Sequence, residues 1–186
     1  FWGPAPDPAA FTELMETTAK TLTFARSKIK IVHAGLSKAD HVFLWSAWEA
    51  DPGYGRTFDI LAVHPYFFNP RGGVRPPDGM DKDRQDVAAL GFVGDPDDTG
   101  FLGKVFNLQL FLTLKGTPKP IWITEIGFMA GNGNPWAIPE SLQTPLAKDT
   151  LIYITTHLTD RPFGQGLRGN DLAANVQRVY WFTLDD

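Results

Sequence analysis

The carboxylate of Glu125 is the side chain in this sequence whose position most strongly suggests chemistry. It lies near the end of the apolar run Pro120-Ile-Trp-Ile-Thr-Glu-Ile-Gly-Phe128, which reads as a short, doubly buried parallel strand broken at Gly127. Glutamate is rarely fully buried without a partner, and parallel strands hold reactive groups at their carboxyl ends. The placement therefore predicts a functional carboxylate, because a structural glutamate would more often lie on a solvent-exposed helix.

A second group of polar side chains ends the strand that is predicted at Phe58–Tyr66. This run is apolar at its centre and finishes with His64-Pro-Tyr66, directly before a loop rich in proline and glycine. His64 and Tyr66 are therefore candidate site residues. A histidine that precedes a proline can also simply close a turn, so a structural role stays open for it.

The elements that must position these groups alternate between helix and strand. Periodicity and end signals predict helices at about 8 to 27, 39 to 50, 101 to 114 and 145 to 158, and strands at 29 to 35, 58 to 66, 120 to 128 and 179 to 184. Asp7-Pro8 marks the first helix start, and residues 145 to 158 also fit a strand. Irregular stretches are expected at 67 to 99 and 129 to 144. Four strands alternating with helices indicate a parallel α/β fold.

Composition narrows the function classes. With 186 residues, 43% of them hydrophobic, the chain is long enough for one domain with a substantial core, taken as 1–186. A net charge of −4 argues against a nucleic-acid surface, and no apolar stretch reaches the roughly 18 residues that span a bilayer. The absence of cysteine excludes disulfides, thiolate metal sites and a cysteine nucleophile, and it leaves the compartment open.

Other catalytic motifs find little support. Gly164-Gln-Gly-Leu-Arg-Gly169 fits the dinucleotide fingerprint G-x-G-x-x-G, but Thr159–Phe163 stands where a strand should run into the first glycine. The serine-hydrolase, P-loop and zincin motifs are all missing from the sequence. We therefore expect neither a cofactor nor a metal ion.

In their order, these features resemble the C-terminal half of the retaining glycoside hydrolases built on a TIM barrel, the clan of β-xylosidases, β-glucosidases, cellulases and other endo-glycanases. Ile123-Thr-Glu-Ile-Gly127 resembles the end of the clan's seventh strand, and His64-Pro-Tyr66 resembles the His-x-Tyr that often ends the sixth. Trp181 matches the aromatic residue near the end of the eighth strand, and Phe1–Phe11 resembles the segment that follows the fourth.

The resemblance implies a half barrel made of strands five to eight and a retaining mechanism on β-linked carbohydrate. In such enzymes one carboxylate attacks the anomeric carbon, and a second carboxyl about 5 to 5.5 Å away acts as acid and base. Glu125 would be the nucleophile, with His64 and Tyr66 as hydrogen-bond donors that hold its carboxylate. Trp181 would form an apolar floor for the sugar, with Trp136 a further contact from a loop, and simple core packing stays open for Trp181.

One feature of the family is missing. The acid/base glutamate of the clan follows an asparagine, and the sequence contains no Asn-Glu pair, so this group is expected outside the chain. A half barrel also leaves an inner face and two edge strands to cover. We expect a partner, either an N-terminal half barrel or a second copy of the chain. The alternative function is a non-catalytic module that binds carbohydrate or self-associates.

Overall fold

The computed structural model describes residues 6–37, 39–65, 68–69, 73–74, 101–128, 138–159 and 175–182. Along these ranges the secondary structure elements, in chain order, are α1 (Pro8–Thr21), β1 (Leu36–Ser37), α2 (His41–Ala50), β2 (Leu61–His64), β3 (Phe68–Asn69), β4 (Gly73–Val74), α3 (Phe101–Leu114), β5 (Ile121–Ile126), α4 (Glu140–His157) and β6 (Val176–Trp181). Two short 3₁₀ turns, Thr23–Ala25 and Tyr54–Arg56, follow α1 and α2.

Four of the strands form one parallel sheet in the order β1-β2-β5-β6. Leu36 pairs with Val63, Leu61 pairs with Ile121, and Ile121 in turn pairs with Val176. Taken in chain order, each of these four strands lies beside the previous strand of the same sheet, so the order does not reverse among them. Strands β3 and β4 form a separate antiparallel pair. The fold is α/β, as the alternation of elements predicts.

Aspartate caps begin two of the helices. The Asp7 carboxylate accepts a hydrogen bond from the Ala10 N–H at 3.0 Å, and Pro8 is the first residue of α1. Asp40 accepts bonds from the Val42 and Phe43 N–H groups, both at 2.9 Å. These side chains satisfy N–H groups that a helix start leaves without backbone partners, which explains why α1 and α2 begin where they do.

The helices pack on one face of the sheet. Four strand residues point into this core and are fully buried, namely Leu61, Val63, Ile121 and Ile123. Side chains from all the helices join the same cluster, with Met15, Leu44, Phe111 and Ile154 as examples. Burial of these apolar groups is the main stabilising contribution to the layered arrangement, at about 25 cal/mol per Å².

The opposite face of the sheet, which we call the open face, carries Ala62, Trp122, Arg178 and Tyr180. The register places Ala62 beside Trp122 and Trp122 beside Arg178. The Arg178 guanidinium lies 5.0 Å from the Trp122 ring centroid, and the Tyr180 ring lies 6.2 Å from it. Tyr180 is 45% exposed, so the described residues leave part of this face accessible.

Several boundaries differ from the sequence predictions. Where a strand was predicted at 29 to 35, the segment makes a single bridge, Val32 to Ile60, and β1 follows at Leu36–Ser37. Backbone bonds still join this segment to the residues before β2, since the His33 N–H donates to the Ile60 carbonyl at 2.9 Å, while the Ile31 N–H donates to the Asp59 carboxylate at 2.8 Å rather than to a backbone carbonyl. Helix α1 ends at Thr21 and continues as a 3₁₀ turn, so it is shorter than the predicted 8 to 27.

Two later boundaries also change. Helix α4 begins at Glu140 rather than 145, and Pro145 lies inside the helix. Strand β6 begins at Val176, ahead of the predicted residue 179. Helix α3 spans Phe101–Leu114, as predicted. Within the described ranges, no helix combines the length and apolar character needed to cross a membrane.

Candidate active site

The carboxyl ends of β2 and β5 bring two of the predicted site residues together. The His64 Nδ1 lies 3.5 Å from the Glu125 Oε2. The side chain of His64 is 21% exposed and that of Glu125 is 40% exposed, so both groups are half-buried and accessible to a ligand. Two strands that pair in parallel therefore present an imidazole and a carboxylate at one edge of the sheet.

A β-bulge in β5 sets the direction of Glu125. Ile123 pairs with Val179 and Ile126 pairs with Trp181, so β5 has two residues between these pairs where β6 has one. Both isoleucines are buried in the core. In a regular strand Glu125 would share the face of Ile123, but the extra residue breaks the alternation. The bulge therefore turns the Glu125 side chain away from the face of Ile123 and towards His64.

Gly35 lies directly against the His64 ring. A Cβ placed on Gly35 would overlap the Nε2, Cε1 and Cδ2 atoms of the imidazole, the last at 2.6 Å. The ring therefore lies directly against the backbone of the segment that leads into β1. In the sequence, Gly35 is the last residue of the strand predicted at 29 to 35. Its signal was a glycine at a strand end, which often marks a close backbone approach.

The protonation of His64 reflects its surroundings. Burial lowers the pKa of His64 from its ordinary value of 6.5, and the negative charge of Glu125 opposes this shift. Burial is the larger of the two effects. The imidazole is therefore mainly neutral near pH 7, and a neutral imidazole can still donate its one N–H to a carboxylate.

The chain beyond Glu125 is held from two sides. Gly127 lies so close to the Phe182 carbonyl oxygen that any Cβ would overlap it, and the Phe182 N–H donates to the Ile126 carbonyl at 2.8 Å. On the other side, the Gln143 amide of α4 donates to the Phe128 carbonyl at 3.0 Å. These contacts fix the end of β5 and thereby the backbone that carries the carboxylate.

The other predicted site residues are only partly brought to this edge. Trp181 ends β6, the neighbour of β5, and its half-buried ring packs against the core at 5.9 Å from the Phe128 ring. This contact is core packing and does not by itself form a sugar platform. Tyr66 and Trp136 lie outside the described residues, as do Gly164–Gly169.

The other four glutamates of the chain lie on helices. Glu16 of α1 pairs with Lys20 at 2.7 Å, and Glu49 of α2 lies 3.7 Å from Lys115. Glu13 and Glu140 belong to α1 and α4. Within the part of the chain that the structure describes, no three His, Asp or Glu side chains are grouped so as to hold a metal ion.

A charged cleft lies away from this edge. Its volume is about 400 Å³, and Lys20, Arg26 and Arg56 line it together with residues of α1 and of the turn after α2. The Arg26 guanidinium pairs with Asp59 at 3.2 Å, directly before β2. The cleft therefore belongs to the amino end of the strands, opposite Glu125 and His64.

No model of a known protein family matches this chain, and no curated protein matches it either.

Proposed function

We propose that the chain is part of a retaining glycoside hydrolase that acts on β-linked carbohydrate, with Glu125 as the nucleophile. The observation that carries the proposal is the pair formed by Glu125 and His64 at the carboxyl ends of adjacent parallel strands. It is supported by the unreversed strand order, which a segment of a (β/α) barrel requires. In this proposal the four strands correspond to strands five to eight.

In the proposed reaction, a Glu125 carboxylate oxygen attacks the anomeric carbon as the glycosidic C–O bond breaks. The leaving oxygen takes a proton from an acid outside this chain, and the sugar stays on Glu125 as an ester. Water, activated by the same external group, then attacks the anomeric carbon and releases the carboxylate. Two inversions at one carbon give overall retention of configuration.

The role of His64 in this proposal is to hold the nucleophile. A neutral imidazole that donates from Nδ1 stabilises the carboxylate and orients its oxygens. The lowered pKa of His64 suits this role, because the uncharged ring neutralises little of the negative charge needed for attack. Tyr66 would add a second donor, and Trp181 and Trp136 would contact the sugar.

A substrate whose leaving group needs no acid provides the test. Dinitrophenolate departs unprotonated, so dinitrophenyl β-glycosides of glucose, xylose, mannose and galactose can react without the external carboxyl. We expect one of them to release a burst of about one dinitrophenolate per chain, followed by slow turnover, because the ester intermediate lacks a base. Azide, a nucleophile that needs no base, should then restore turnover.

Matched variants separate the nucleophile from general effects. Glu125→Gln should abolish the burst, whereas Glu140→Gln, which changes an exposed carboxylate in the first turn of α4, should leave it unchanged. A burst that survives in Glu125→Gln would remove Glu125 from the role. The absence of a burst with every sugar tested would count against glycosidase chemistry in this chain.

A non-catalytic carbohydrate-binding or self-associating module is the second candidate, and exposed aromatic rings at β6 favour it. Tyr180 and Phe182 are 45% and 43% exposed, and aromatic faces pack well against sugars or against a second protein surface. Sugar binding without turnover, unaffected by Glu125→Gln, would support this candidate over the enzyme.

A further inference from the structure

We infer that Gly35 is a positioning residue of the proposed site: its missing side chain sets the orientation of the His64 ring and thereby the contact between His64 and Glu125. This inference deepens the proposed function and relies on it for the catalytic meaning of Glu125. The contact itself is a property of the fold and can be measured without any substrate.

The register brings Gly35 under the ring. Ser37 pairs with His64 across β1 and β2, and paired residues of parallel strands point to the same face. Gly35 precedes Ser37 by two positions, so a side chain at Gly35 would point to that face as well. The overlap that a Cβ at Gly35 would have with the imidazole agrees with this geometry.

The three ring atoms that face Gly35 identify which edge of the imidazole it holds. Nε2 and its two neighbours, Cε1 and Cδ2, lie against the glycine, while Nδ1 lies 3.5 Å from Glu125. The ring is therefore enclosed between a backbone on one side and a carboxylate on the other. With Nε2 turned to Gly35, only the Nδ1 edge of His64 is directed at the nucleophile.

The ring has little freedom to avoid a methyl group at this position. The histidine side chain rotates about two torsions, and its strand position is fixed by pairing on both sides of β2. An alanine at Gly35 must therefore turn the ring or shift the backbone. Either response moves Nδ1 away from Glu125.

A glycine elsewhere in the chain offers a matched control. At Gly53 a Cβ would approach the Arg56 Nη2 at 2.8 Å, but that atom ends a long, flexible side chain that can move aside. Gly53 lines the charged cleft at the other end of the strands. Gly53→Ala thus introduces the same methyl group without touching the His64 ring.

The experiment measures the electrostatic coupling between His64 and Glu125 by NMR titration of ¹⁵N-labelled histidine. In the original chain, Glu125→Gln should lower the pKa of His64, because the carboxylate charge raises it. In the Gly35→Ala background the same substitution should leave the pKa of His64 unchanged within error. In the Gly53→Ala background the shift should equal that of the original chain.

A second measurement covers the case in which Gly35→Ala folds poorly. If the ring is the obstacle, His64→Ala should relieve the loss, so urea unfolding of Gly35→Ala/His64→Ala should match that of His64→Ala alone. The inference is overturned if the coupling shift persists in Gly35→Ala, or if the alanine costs the same with and without the ring. A coupling that is present in the original chain and lost in Gly35→Ala, combined with no covalent chemistry at Glu125, would instead refute only the proposed enzyme.

Discussion

At the scale of single residues, His64 and His33 show how the degree of burial separates a candidate site histidine from a core histidine. His64 is half-buried at a strand end, and its Nδ1 faces a carboxylate. His33 is 1% exposed and lies among the rings of Phe11, Tyr54 and Phe58. Its Nδ1 donates to the Ala34 carbonyl, and its Nε2 accepts from the Tyr54 hydroxyl at 2.6 Å. His33 is therefore a neutral core residue.

His33 should make stability dependent on pH. Burial lowers the pKa of His33 to about 4, against an ordinary value of 6.5 in the unfolded chain. The unfolded state binds the proton first, so the stabilisation is complete above pH 6.5 and falls as the pH drops towards 4. The loss over this window is about 3 kcal/mol.

Urea unfolding at several pH values tests this prediction. His33→Gln keeps a polar side chain but removes the titration, so its free energy of unfolding should vary less between pH 7 and 4 than that of the original chain. Other acidic groups titrate in both proteins, which makes the difference between the two curves the informative quantity. Identical pH dependence in the two proteins would contradict the role assigned to His33.

At the scale of elements, the sequence predicts most helices well and the strand details less well. The helix at Phe101–Leu114 and the helix predicted at 39 to 50, which the structure shows at His41–Ala50, follow from local apolar patterns. The bulge beside Glu125 and the close approach of the His64 ring to Gly35 depend instead on the pairing between strands. Such pairings are tertiary, so the spacing of residues along one strand does not specify them.

The same distinction applies to the candidate site. That Glu125 and His64 end neighbouring strands follows from the alternation of elements. The side-chain contact requires the extra residue in β5, which no local pattern encodes, and the missing side chain of Gly35, for which the sequence offers only a glycine at a strand end. The sequence thus predicts which strand ends meet, whereas the close contact arises from how the strands pack.

Helix α2 provides a direct test of the capping argument. Asp40→Ala removes the acceptor for the Val42 and Phe43 N–H groups and should lower the free energy of unfolding by about 1 kcal/mol. Asp40→Asn keeps a side-chain oxygen at the same place and should remain close to the original stability. Equal losses in the two variants, measured by urea unfolding, would mean that the negative charge rather than the cap is what matters.

At the scale of the whole molecule, the open face and the two edge strands of the sheet are the surfaces that a partner would cover. Strands β1 and β6 are the outer strands of the parallel sheet, and within the described residues each pairs on one side only. A proposed half barrel would cover this surface with a second half barrel, because unpaired strands and exposed aromatic rings favour association. In a sample of this chain alone, the available partner is a second copy.

Sedimentation across a range of concentrations tests this expectation. The chain should form a dimer of twice 20.6 kDa, and Tyr180→Lys should weaken it by placing a charge on the open face. Phe24→Lys is the matched control, since Phe24 is 86% exposed and lies in the 3₁₀ turn after α1. A monomer at all concentrations, or equal weakening by both variants, would contradict association through the open face.

The central claim is that Glu125 is a glycosidase nucleophile, and covalent labelling tests it most directly. Dinitrophenyl 2-deoxy-2-fluoro-β-glycosides react without an acid and form esters that hydrolyse slowly, so the label accumulates on the attacking residue. After digestion, mass spectrometry should find one fluorosugar on the peptide that contains Glu125, and no label in Glu125→Gln. A label on any other carboxylate, or an unmodified Glu125 with all four sugars named above, would contradict the account.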